Sequence, residues 1–159
     1  MGGGVYVTLP EMAISFARGL ILQMWVRPDG PQDAVLFALG SKKAQIRLLL
    51  RKDGSVELLF DRKYVRAEIG VRVGGWNHLT VVLGRSLTVF YLDGVRVSSA
   101  GGGVPREAAR TGNTIGVAPD GKGGGFVGAI ADVRLWNRSS GLAVTTTSSR
   151  FSPRCADSS

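Results

Sequence analysis

An all-β fold, a sandwich or barrel of short antiparallel strands, is what the sequence predicts, on three observations. Apolar residues recur with a period of two in run after run, and only residues 104–111, VPREAART, could hold a helical turn. Glycine accounts for 23 of the 159 residues, about twice the ordinary share, and it favours turns and bulges over helices. Turn signals punctuate the runs: Pro28-Asp29-Gly30, Asp53-Gly54, Gly74-Gly75, Asp93-Gly94, Gly101-Gly102-Gly103 and Pro119-Asp120-Gly121.

The strand runs follow in order. They are VYVTL (5–9), LILQMWV (20–26), AVLFAL (34–39), AQIRLLL (44–50) and SVELLF (55–60). Then come HLTVVL (78–83), SLTVFYL (86–92), VRVS (95–98), NTIGVA (113–118) and FVGAIADVRLW (126–136). Around Asp93-Gly94 a two-residue type I′ loop pairs Leu92 with Val95 and Phe90 with Val97 on one face, and leaves Tyr91 and Arg96 on the other. Around Asp53-Gly54 a two-residue loop would mix the faces. A three-residue loop, Lys52-Asp53-Gly54, pairs Leu50 with Val56, Leu48 with Leu58 and Ile46 with Phe60, and puts Gly54 in the left-handed position. The outward face then carries Gln45, Arg47, Arg51, Glu57 and Asp61, which read as solvated.

The length suits one domain, residues 1–138, followed by a Ser/Thr-rich tail, 139–159, that reads as mostly flexible. The net charge is +8, and 15 of the 20 bases are arginine. Spread bases can mean solubility alone, but arginine forks onto carboxylate, sulfate and phosphate, so an anionic ligand stays open. A lone cysteine, Cys155, allows no internal disulfide. No apolar run reaches membrane-spanning length, and the first ten residues lack the pattern of a signal peptide, so an export signal would lie outside this chain.

Chemistry in the sequence is chiefly absence, and the chain reads as no enzyme. His78, the sole histidine, sits at the head of an apolar strand and reads as a packed residue rather than a catalytic base. No Cys/His cluster suggests zinc. DGKGGG (120–125) precedes a strand and not a helix, against a phosphate loop. Basic residues between 42 and 72 around Phe60 and Tyr64 resemble a single-strand platform, but Phe60 points inward and acids interrupt the run, so nucleic acid is disfavoured. Trp25, Trp76 and Trp136 could stack on sugars, although core packing is the expected role of Trp25 and Trp76.

GVYVTLP, LILQMWVRPDG, WNHLTVVLGRSLTVFYLDGVRV and NTIGVAPDGKGGGFVGAIADVRLWNR, in this order over about residues 4–138, resemble the laminin G-like, concanavalin A-like jelly-roll family. Pentraxins, legume lectins and family 16 glucanases share that sandwich. The resemblance implies a two-sheet antiparallel jelly-roll β-sandwich, and an extracellular or cell-surface setting. It also implies a structural calcium held by Asp132 of the last strand with a backbone carbonyl from a glycine loop, here Gly40. The alternative for Asp132 is a salt bridge to Arg134 or a neighbouring strand, or a hydrogen bond to a loop. Parity places Asp132 with Ile130, Arg134 and Trp136, away from a core that takes Val133 and Leu135.

The glucanase acid pair is absent, so hydrolysis is not implied. The acid that commonly follows is Val133 here, and the usual first strand is nearly missing. Its loss leaves a sheet edge open to a partner or to a tail folding back, unless the chain is a fragment. The expected function is a non-catalytic recognition module for a glycan or protein ligand, with Asp120, Lys122, Tyr91 and Arg96 as contacts. The alternative is a structural or assembly component of a larger complex.

Overall fold

The computed structural model describes residues 7–8, 19–40, 46–60, 63–101, 114–116, 125–137, 141–145 and 149–151. Its strands are β1 (Val7–Thr8), β2 (Leu20–Pro28), β3 (Ala34–Leu39), β4 (Ile46–Leu50), β5 (Val56–Phe60), β6 (Lys63–Ala67), β7 (Asn77–Leu83), β8 (Leu87–Leu92), β9 (Val95–Gly101), β10 (Thr114–Ile115), β11 (Gly128–Asn137), β12 (Gly141–Thr145) and β13 (Ser149–Phe151). The first sheet runs β1-β10-β3-β4-β5-β6 and the second β12-β11-β2-β7-β8-β9, with β13 also on β11. Every pairing is antiparallel. The predicted all-β jelly-roll sandwich is the architecture found.

Alternation builds the core. Leu20, Leu22, Met24 and Val26 point inward from β2, Leu79, Val81 and Leu83 from β7, and Ile46, Leu48, Leu50, Val56, Leu58 and Phe60 from the first sheet, in one cluster. Each fully buried side chain of this kind stabilises the fold by about 1.5–3 kcal/mol. The strand β3 is buried along its whole length. Its Val35 and Ala38 make a small second cluster with Leu49, and a register shift between Val35 and Phe37 moves Phe37 into the main core.

The β4–β5 hairpin has the predicted register, Leu50 with Val56, Leu48 with Leu58 and Ile46 with Phe60. Gly54 takes φ 82°, and a Cβ there would lie 2.9 Å from the Val71 carbonyl oxygen. Asp93 and Gly94 both take positive φ, as a type I′ turn requires. One pair of that hairpin departs from expectation. Leu92 pairs with Val95 and Tyr91 with Arg96, but a bulge then sets Phe90 against Ser98. Val97 is the extra residue, and both Val95 and Val97 are exposed. The strand β9 is a sheet edge, and a bulge there twists the edge away from intruding strands.

Three strands escaped the periodicity. Four of the five residues of β6 are not buried and two are basic, which is how edge strands discourage further pairing. The tail read as flexible supplies β12 and β13, which lie along β11 on either side of its bulge. The outer edge of β11 is thus covered by the chain's own C-terminal strands. The helical turn expected at 104–111 lies outside the described residues, as does most of the 5–9 run.

Candidate functional site

Residues paired across a ladder share a face, so the register defines the outer surface of the second sheet. Gln23 pairs with Arg134 and Thr80, Thr80 with Tyr91, and Tyr91 with Arg96. One row further along, Ala131 pairs with Trp25 and Trp25 with His78. Arg27 follows two residues on, about 7 Å away along β2. Its guanidinium carbon lies 5.2 Å over the ring of Trp76. The rings of Trp25 and His78 are 4.8 Å apart and tilted by 57°.

Trp25 and Trp76 are thus outside the core, 39% and 41% exposed. The inward positions of β2 belong to Leu22, Met24 and Val26, and strand parity turns Trp25 the other way. Trp76 precedes β7 in a loop that Asn77 holds. The buried Asn77 side chain accepts the Arg72 N–H at 2.9 Å and donates to the carbonyls of Val26 (3.1 Å), Arg72 (2.9 Å) and Gly75 (3.0 Å). The Gly74 N–H reaches the Pro28 carbonyl at 2.8 Å. Sequence reading passed over Asn77. The signal was an amide between Trp76 and His78 directly after two glycines, where a side chain must satisfy the backbone of a tight turn.

The acids beside this face are structural. Asp93 accepts the His78 backbone N–H at 2.8 Å and the Arg72 guanidinium at 2.8 Å. These contacts, the His78 N–H foremost, hold its carboxyl below the ordinary range. Asp132 accepts from Arg134 Nε at 2.9 Å and is 45% exposed. The ion pair was one of the two readings of this residue. Its backbone explains the choice of residue further. The register with β2 shifts between Ala131 and Arg134, two residues facing Met24 alone, and Asp132 takes φ 51°. Aspartate tolerates that left-handed conformation better than most side chains. The bulge also corrects the predicted parity. Ile130 is in the core with Val133 and Leu135, while Asp132 looks outward.

Among the described residues, few donors for calcium stand near one another. Calcium takes six to eight oxygens, and no group of three acids, histidines or cysteines gathers anywhere among the described residues. Gly40 closes off β3 in the first sheet, buried and at φ 77°, whereas Asp132 sits on the outer side of the second sheet with its carboxylate turned to Arg134. Tyr91 and Arg96 are cross-strand neighbours on the outer face, as expected. Asp120 and Lys122 lie outside the described residues.

On the first sheet, Glu57 is buried although it was expected in solvent. It receives Arg51 Nε at 2.6 Å and the Tyr64 hydroxyl. Burial opposes its charge, but the hydrogen bonds from Arg51 and Tyr64 prevail and keep its carboxyl below the usual range. Asp53, held low by the Ser55 hydroxyl at 2.5 Å and the Ser55 N–H at 2.9 Å, pairs with Arg66.

Two stacked antiparallel sheets in this strand order are the architecture of a class, the concanavalin A-like β-sandwich domains. The chain matches the model of the concanavalin A-like lectin/glucanases superfamily over residues 1–141, and it belongs to that family. Solved structures with the same fold include a putative carbohydrate binding protein from Bacteroides ovatus (16% identity, TM-score 0.69, covering 92% of this chain and 50% of that one). Domains LG4-5 of the mouse laminin alpha1 chain are similar too (20%, 0.66, 94% and 43%). So is Domain 4 of AbnA, an extracellular arabinanase from Geobacillus stearothermophilus, in complex with arabinotriose (17%, 0.67, 87% and 68%). The chain thus spans half or less of the first two. A search of curated proteins found no match.

Proposed function

We propose that this domain is a non-catalytic recognition module that binds a glycan on the outer face of its second sheet, in an extracellular or cell-surface setting. The observation that carries the reading is the pair of tryptophans, Trp25 and Trp76, each about two-fifths exposed in adjacent rows with His78 and Arg27. Sugar rings present apolar C–H faces to an indole. Gln23, Tyr91 and Arg96 on the same face offer hydrogen bonds to ring hydroxyls. The Bacteroides and arabinanase neighbours, named for carbohydrate binding or solved with arabinotriose, support a sugar ligand.

The non-catalytic part rests on Asp93 and Asp132. Both are engaged by arginines, and a carboxyl held low, like that of Asp93, is a poor general acid near neutral pH. The competing role, assembly through an open sheet edge, is weakened because β12 and β13 fill the edge of β11 and a bulge guards β9. A glycan array followed by titration calorimetry tests the reading. Saturable binding that weakens about tenfold or more in Trp25→Ala and Trp76→Ala is expected, a loss of about 1.4 kcal/mol each. Binding indifferent to both changes would remove the site, and an array without hits would remove the glycan.

A further inference from the structure

We infer that the glycan taken by this face is acidic, carrying carboxylate or sulfate groups, with Arg27 and Arg96 as its anion contacts; the inference rests on the glycan-binding reading above. Arg51, Arg66, Arg72 and Arg134 are each tied to an acid. Arg27 and Arg96 are paired with no acid among the described residues. These two are also the ones set beside aromatic rings, Arg27 over Trp76 and Arg96 across the ladder from Tyr91. A guanidinium lying over an indole keeps its N–H fork at the ring edge, free to grip an anion with two hydrogen bonds.

The spacing fits an extended ligand. Arg27 is on β2 and Arg96 on β9, three strand spacings (about 14 Å) across and four residues (about 13 Å) along the strands, about 20 Å apart on the diagonal. Trp25, His78, Thr80 and Tyr91 lie between them on the same face. A short chain of linked sugars laid diagonally over the strands would meet a cation near each end and aromatic rings between. Asp93 and Asp132 on this side are already engaged by Arg72 and Arg134, so neither offers a free carboxylate to repel a bound anion. The net charge of +8 draws such a ligand from a distance. Single-stranded nucleic acid could also stack here, but its phosphates ask for a continuous cationic track, whereas this face places uncharged Thr80 and Tyr91 between Arg27 and Arg96.

Tryptophan fluorescence and calorimetry with defined probes test this. Galacturonan and hyaluronan oligomers are each compared with their carboxyl-reduced neutral forms, dextran sulfate with dextran, and an oligo(dT) strand serves as the competing class. At least one acidic probe should bind tenfold or more tighter than its neutral counterpart, with the advantage shrinking as salt rises. The pair that discriminates tells carboxylate from sulfate. Arg27→Gln should lose that advantage and Arg27→Lys keep part of it, both with an unchanged circular dichroism melt. Neutral and acidic forms bound equally, in a manner sensitive to Trp25→Ala, would overturn the acid preference and leave the glycan site standing. No binding by any sugar, or oligo(dT) bound tighter than all of them, would overturn both.

Discussion

Asn77 shows how a single amide places an aromatic. Its carbonyl and amino group bond a strand and a turn that share no ladder, and so hold Trp76 beside Arg27. Truncation strands several buried backbone groups at once, each costing about 1–3 kcal/mol. Asn77→Ala should therefore lower the urea unfolding free energy by about 3 kcal/mol, and should weaken any ligand that needs Trp76. Thr88 makes the opposite case. It is fully buried and its hydroxyl lacks a hydrogen-bond partner among the described residues. Thr88→Val removes the stranded group with little change of shape, and a gain of about 1 kcal/mol in the same assay is expected. Asp132, the acid whose place in an apolar strand invited a metal, is explained by a left-handed backbone and an arginine. Melting curves in calcium and in chelator should coincide, and a rise in Tm with calcium would restore the metal reading.

At the scale of elements, two hairpin turns and strand β5 carry the acid sensitivity. The carboxyls of Asp53, Glu57 and Asp93 are all held low in the folded chain. Unfolded, they titrate near the ordinary value of about 4, so across the acid range the unfolded chain binds more protons. Their contribution is complete above that pH and is lost as pH falls through the folded values. Tm should stay level from neutral to about pH 5 and drop below about pH 4, and Asp93→Asn should blunt the drop. Tyr64 behaves in the reverse sense. Its hydroxyl is raised by the Glu57 hydrogen bond, so its contribution is present below about pH 10 and fades above.

How much of this was legible depended on burial. Where a strand has one face in the core, as in β4 and β5, alternation disclosed the pairing residue by residue. It could not disclose β6, whose residues face water, or β12 and β13, whose Ser/Thr-rich composition resembles a linker. Nor could it place Trp25, since parity separates two faces without saying which one is wet. A chain ending at Arg138 would leave the β11 edge bare. It should melt lower than the full chain and aggregate on heating, as followed by light scattering.

Seen whole, the molecule is a rigid two-layer scaffold that spends its polar chemistry on its outer faces. The main apolar cluster spans both sheets, and Trp25, His78 and Tyr91 sit on strands above it, where a binding surface keeps its shape without ligand, with Trp76 held beside them by the Asn77 loop. The bulge at Asp132 adds something that neither sheet has by itself. Two antiparallel partners can in principle creep past each other by two residues and keep every side chain on its proper side. The one extra residue at Asp132 forbids this between β11 and β2, because any such creep would carry the kink to a place where Met24 has no counterpart for it. It serves as a detent, a notch that lets the pair click home at one alignment only. Straightening it, by deleting Asp132, should give a chain with more than one alignment of its last strand, seen as doubled amide resonances along β2.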